Sequence, residues 1–213
     1  MSAVGVWVIA PVDDAEIAAL KQRFPHAAAV YGQAPEPSAE LAWWFETSTG
    51  DSFFLPSVGY PGSVIGTDSA YLLADLVYAG RNETDAVEEL KDALMAGFPN
   101  DGDGLFATVT RKADPVAALF YGLGAELALQ LPGCFGDFLL TADQVREVLP
   151  SVEAALGMSA DHCSVVTVRI MDWLTGLGDA TDCDAVELIR GPLRLLHDAA
   201  TTGRGAVGLT RWY

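Results

Sequence analysis

Tyr71, Asp75 and Tyr78 recur at steps of four and three, the spacing that places side chains on one face of a helix. Two phenols and a carboxylate so arranged can line a small polar pocket and exchange protons with a bound molecule. They can equally form a half-buried helix face whose hydroxyls reach water. Glu46 follows Trp43-Trp44-Phe45, so aromatic walls beside its carboxylate would desolvate it and suit it to general acid or base work. The competing reading is a solvated glutamate closing an amphipathic segment. Asp51 and Tyr60 flank the same glycine-rich stretch and can join such a site. The candidate catalytic set is therefore Glu46, Asp51, Tyr60, Tyr71 and Asp75.

Other chemistry-bearing motifs fail on spacing. Asn100-Asp101-Gly102-Asp103-Gly104 resembles a calcium loop, but aligning Gly104 to the invariant glycine puts Pro99 and Thr110 where acids are required. Gly122-Leu123-Gly124 falls inside a helical pattern and Gly176-Leu177-Gly178 follows one, so neither is a phosphate cradle, and no cofactor is expected. Cys134 sits in Gly133-Cys134-Phe135-Gly136 with Asp137 close by, the wrong sign to stabilise a thiolate. That favours a buried structural cysteine. Asp161-His162-Cys163, Asp182-Cys183-Asp184 and His197-Asp198 hold ligand-type residues, but adjacent residues on a helix diverge and no metal spacing is present. No metal is expected.

The chain carries 29 acidic against 12 basic residues, a net charge of −17, while 51% of it is hydrophobic. So many apolar residues imply a sizeable core, and so many acids imply a surface that repels phosphate and anionic lipid. Nucleic-acid and membrane partners are thereby disfavoured. The acids are scattered among apolar stripes, unlike the long acidic faces of a DNA mimic. Cys134, Cys163 and Cys183 form no C-x-x-C and cannot all pair with one another. The start, Met1-Ser2-Ala3-Val4-Gly5, lacks the basic residues of a signal peptide, and a cytoplasmic location is expected.

The elements that would position these residues follow from periodicity and punctuation. Val4–Ala10 reads as a buried strand, and Asp13 as the cap of a helix over 14–23. A proline-marked loop covers 32–39; Leu41–Glu46 is bulky and ordered; Ser52–Leu55 is a short strand and Pro56–Gly66 a loop. Helices are predicted over 69–79, capped by Asp68, and over 84–97, with Val87, Leu90 and Leu94 on one face. Leu105–Thr110 reads as a strand, and Asp114-Pro115 opens a helix to about Gln130. Asp137–Leu140 is a short strand, and Thr141 with Gln144 forms a capping box for a helix that Pro150 interrupts. A helix over 160–177 comes next, then an apolar stripe over 183–200 broken by Gly191-Pro192, and a last strand over 206–213. The expected fold is a single helix-rich α+β domain, residues 1–213, with a small mixed or antiparallel sheet.

Several segments in order resemble the YfbM-like family of uncharacterised bacterial proteins. They are Gly5-Val6-Trp7-Val8 leading to Val12–Ile17, Trp43-Trp44-Phe45 closing at Thr49-Gly50, Ser63–Gly66, Phe138–Val145, and Leu195 through Ala199-Ala200 to Gly203–Val207. The chain departs from the family's pattern in lacking a histidine before Thr49-Gly50, and 68–130 looks like an insertion. The resemblance implies an α+β fold and brings no activity with it.

Two functional expectations stand. The leading one is an accessory or immunity-like protein that binds a partner with a basic surface. The other is an enzyme of a specialised (secondary) metabolic pathway, acting on a small neutral or cationic substrate through carboxylate and tyrosine acid–base chemistry. A buried carboxylate in a deep pocket would favour the enzyme, and an exposed apolar patch without one would favour the binding protein.

Overall fold

The computed structural model describes residues 4–47, 52–60, 62–81, 83–99, 104–178 and 183–213. Strand β1 (Val4–Val12) is the axis of a four-stranded antiparallel sheet. It pairs on one side with β4 (Phe106–Arg111) and on the other with β6 (Gly205–Trp212), and β6 in turn carries β5 (Phe138–Leu140). Trp7 and Ile9 of β1 point into one core, Ala10 and Val12 into another. Both faces are covered, which is why β1 reads as an unbroken apolar run and does not alternate.

The smaller core packs α1 (Asp14–Arg23), α2 (Pro25–Val30) and α5 (Asp85–Gly97) against the sheet. The larger is built by α3 (Ala39–Thr47), α4 (Asp68–Gly80), α6 (Pro115–Leu123), α7 (Ala125–Ala128), α8 (Ala142–Leu156), α9 (Ala160–Gly176) and α10 (Ala185–Thr202). Helix α6 is buried along its whole length and forms the centre of this layer. A separate hairpin pairs β2 (Phe54–Pro56) with β3 (Val64–Gly66) and lies on the end of α9, where Phe54 meets Trp173 edge-on at 6.0 Å. The architecture is α+β with a wholly antiparallel sheet. Segment 68–130 supplies both the edge strand β4 and the central helix α6.

Several local expectations are corrected. Pro150 does not interrupt its helix: α8 runs through it, with the proline ring on the exposed face, and the Thr141–Gln144 capping box closes its start. Gly191-Pro192 likewise lies inside a continuous α10, because a side chain at 191 would collide with Phe106, 2.2 Å from the position of a Cβ. The helix opened by Asp114 ends early, since Gly124 takes a left-handed φ of 78° and divides α6 from α7. Asp13 does not cap α1 with its side chain; its Oδ1 accepts from Arg204 Nε at 2.9 Å. The loop read over 56–66 contains β3, and Thr67, not Asp68, stands at the cap of α4. The turn read at Asn100–Gly104 falls mostly outside the described residues.

The loop before β5 is a tight turn. Cys134 and Asp137 exchange backbone hydrogen bonds of 2.9 and 3.0 Å, and Gly133, Phe135 and Gly136 all take positive φ. A Cβ on Gly133 would lie 2.1 Å from the Asp137 carbonyl oxygen, whereas one on Gly62, also at positive φ, meets nothing within 4 Å. Gly133→Ala should therefore lower stability by about 2 kcal/mol more than Gly62→Ala, because overpacking adds to the backbone cost both share. Thermal unfolding of the two variants checks this.

Candidate functional site

Helix α4 turns Ala70, Leu73 and Val77 into the core, and the steps between them leave Tyr71, Leu72, Asp75 and Tyr78 facing out. Tyr71, Asp75 and Tyr78 line one wall of a cavity of about 260 Å3. Its other walls are Lys112 and Ala113 from the β4–α6 connection, Trp173 and Leu177 at the end of α9, and Trp212 of β6. The shared helix face expected from spacing is present, and the packing of α9 and β6 turns it into a concave site.

On the other flank of α4 lies a groove of about 400 Å3 that also touches Asp75. Glu36, Glu40, Ser38, Leu41, Leu72 and Phe135 line it. The Glu40 carboxyl is held below its ordinary value, first by its own backbone N–H and then by the Ser38 side chain. Asp75 is thus a carboxylate common to an aromatic cavity and an acidic groove.

The other candidates stand apart. Glu46 lies exposed in the last turn of α3, because Leu41 and Trp44 occupy the inward positions. Trp44 stacks on Phe120 at 6.2 Å inside the core, so the aromatic pair packs away from the Glu46 carboxylate and does not wall it in. Tyr60 is exposed at the tip of the β2–β3 hairpin, where its carbonyl accepts from Ser63 N and Oγ at 3.1 and 2.7 Å. Asp51 lies outside the described residues.

The strongest electrostatics sit elsewhere. Lys91, on the inward face of α5, is fully buried, and its Nζ is 3.0 Å from both Asp137 Oδ2 and Glu83 Oε1. Asp137 Oδ1 accepts from the backbone N and the hydroxyl of Thr210, each at 2.7 Å. Strand β5 is too short to reach that stretch of β6, so the carboxylate takes the amide a neighbouring strand would have taken. Burial raises the Asp137 carboxyl above its ordinary value, against the pull of Lys91 and Arg81. Nearby, Arg81 grips Asp114 with both terminal nitrogens and donates Nε–H to the Phe135 carbonyl at 3.0 Å. Asp114 Oδ1 also caps α6 by accepting from Val116 and Ala117 at 2.8 and 3.0 Å. Burial alone would raise its carboxyl, but Arg81 and these amides outweigh that and bring it below the ordinary value.

These charges saturate one another and hold the seam where α4, α5, the Gly133–Asp137 loop and β6 meet. Asp137 was visible in the sequence only as a neighbour of Cys134. The readable signal was Lys91, a lysine one turn from Val87 inside the apolar stripe of α5. Cys134 donates its thiol to the Gly80 carbonyl at 2.9 Å, and burial, then Asp137, push its pKa up to about 11. It is a protonated structural thiol at neutral pH. His197 Nε2 lies 3.0 Å from Glu153 on the surface. Among the described residues no three His, Cys, Asp or Glu side chains converge as a metal site would need, and no helix is long and apolar enough to cross a membrane.

Compared with known proteins, the chain matches no family model, and neither a curated protein nor a solved structure matches it significantly.

Proposed function

We propose that this protein works by binding, and that the face built on α4 receives a partner with a basic surface. The observation that carries this is the outward face of α4. Tyr71, Leu72 and Tyr78 are 57, 46 and 54% exposed there, around Asp75 and beside Glu36 and Glu40. Tyrosines that bury apolar area while keeping a polar tip are favoured at interfaces. Leu177 joins this face to the β2–β3 hairpin, since it lines the cavity and packs against Gly66. The hairpin adds exposed Leu55, Tyr60 and Ile65 and has no charged residue from Ser52 to Thr67. A net charge of −17 would speed encounter with a cationic partner and discourage nucleic acid. An accessory protein of the bacterial cytoplasm, related to the YfbM-like family, fits this reading.

The test is copurification with tagged protein from the native host at low and high salt. The paired substitution Tyr71→Ser with Tyr78→Ser is the control. These are surface positions, so each substitution should change the unfolding free energy by no more than about 0.5 kcal/mol. A partner that is recovered at low salt, released by salt and lost in the double variant supports the proposal. Recovery of nothing above background at low salt overturns it.

A second reading has one observation in its favour: Tyr71, Asp75 and Tyr78 share a concave wall with Trp173. An enzyme of specialised metabolism acting on a small neutral or cationic substrate would use Asp75 as base and a tyrosine as acid at that place. Such an enzyme would retain its activity without any protein partner.

A further inference from the structure

We propose that the cavity between α4, the β4–α6 connection and the end of α9 is a socket for one arginine side chain of the partner. This rests on the binding role assigned above to the α4 face, and it names the chemistry that the face recognises.

Three features select the occupant. The first is the wall: Tyr71, Tyr78 and Trp212 are exposed aromatic residues on the cavity, with buried Trp173 behind them. A guanidinium is planar and weakly hydrated and stacks on such rings, so it gains more there than a compact, strongly hydrated ammonium. The second is charge. Asp75 contributes a carboxylate shared with the groove that holds Glu36 and Glu40. Asp114, also on the lining, is already neutralised by Arg81 and adds little. Lys112 is the opposing charge among the lining residues and is exposed. A cation entering the cavity must displace or tolerate it. The third is an orphan donor. Trp173 is 1% exposed, and its buried indole N–H has no acceptor among the described residues. A free guanidinium offers no acceptor, whereas an arginine within a peptide brings carbonyl oxygens with it. An amide-linked arginine therefore answers the rings, the carboxylate and the unpaired donor together.

The opposed signs of Asp75 and Lys112 make the idea testable with small probes. The indole N–H signals of the uniformly 15N-labelled full chain are followed by NMR during titration with Nα-acetyl-arginine amide. Trp212→Phe and nuclear Overhauser contacts assign Trp212 and Trp173. Saturable shifts of both signals with a dissociation constant on the order of millimolar are expected. The neutral isostere Nα-acetyl-citrulline amide should produce no saturable shift, and Nα-acetyl-lysine amide should bind more weakly. Asp75→Asn should weaken the arginine probe about threefold, and Lys112→Gln should tighten it about twofold, as partly exposed ion pairs do. Equal binding of citrulline, equal binding of lysine, weakening by Lys112→Gln, or no saturable shift would each overturn the socket. A salt-sensitive partner recovered by copurification alongside a silent titration would sink the socket and leave the binding role standing. Loss of both would remove the role itself.

Discussion

Asp137→Ala is expected to destabilise the fold by about 3 kcal/mol, because it removes the one fully buried carboxylate facing the Lys91 ammonium among the described residues. Two further losses accompany the charge. The Thr210 amide and hydroxyl both lose their acceptor, at a stretch of β6 that β5 does not reach. Glu83 and Glu88 remain 3.0 and 3.8 Å from Lys91, but both are partly exposed and replace the buried carboxylate only in part. Lys91→Met alone should also be costly, since it strands Asp137. Combining Lys91→Met with Asp137→Ala removes both charges and should cost at least 1 kcal/mol less than the two single changes added together. Urea unfolding of the four proteins measures the coupling. Strict additivity would show that the pair does not interact as the 3.0 Å contact requires.

The second large effect lies one step along the same seam. Asp114→Asn is expected to cost about 3 kcal/mol at neutral pH, because Arg81 is 6% exposed and would lose its only bidentate acceptor among the described residues. Asparagine is itself a good helix cap, so the end of α6 should survive and the loss should report on the ion pair. The direction of the pH dependence follows from the lowered Asp114 carboxyl. A folded-state value below the unfolded one contributes stability above the ordinary aspartate range, near pH 4. That contribution is lost as pH falls through the depressed value. The gap between parent and variant should thus be full at pH 7 and close progressively below about pH 4. Asp137 works the other way: its raised carboxyl is relieved by protonation as pH falls. Of these two aspartates, Asp114 and not Asp137 loses its stabilising contribution in acid, and a gap that widened in acid would contradict the Arg81–Asp114 assignment.

How legible the molecule was depends on the range of the interaction concerned. Helix α9 could be read from Cys163, Val166, Ile170 and Trp173 despite its β-branched content, because a stripe three and four residues apart is a local property. The capping box at Thr141 and the proline-opened start of α6 were readable for the same reason. Pro150 misled because its local cost, a missing N–H and a ring against its own helix, is outweighed by the core packing of Val145, Val152 and Leu156 on either side of it. Gly191 misled in the opposite sense: it marks the close approach of Phe106, which is far away along the chain, and not a break. Of the candidate site, Tyr71, Asp75 and Tyr78 were found through their helix spacing. Lys112, Trp173 and Trp212 were not, since nothing local connects them to α4. Glu46 lies exposed, because proximity in sequence to Trp43 and Trp44 does not settle which way a helix turns its last residues.

By itself, then, the amino-acid sequence determined an acidic, apolar-cored α+β protein, most of its helix and strand centres, and the tyrosine–carboxylate face of α4. Those follow from composition and short-range periodicity, which the chain carries everywhere at once. Only the tertiary structure decided that this face is concave, that Asp75 is shared between an aromatic cavity and an acidic groove, and that Lys91, Arg81, Asp114 and Asp137 neutralise one another. Those depend on which distant segments are brought within a few ångströms, where Coulomb attraction and desolvation become large enough to choose partners.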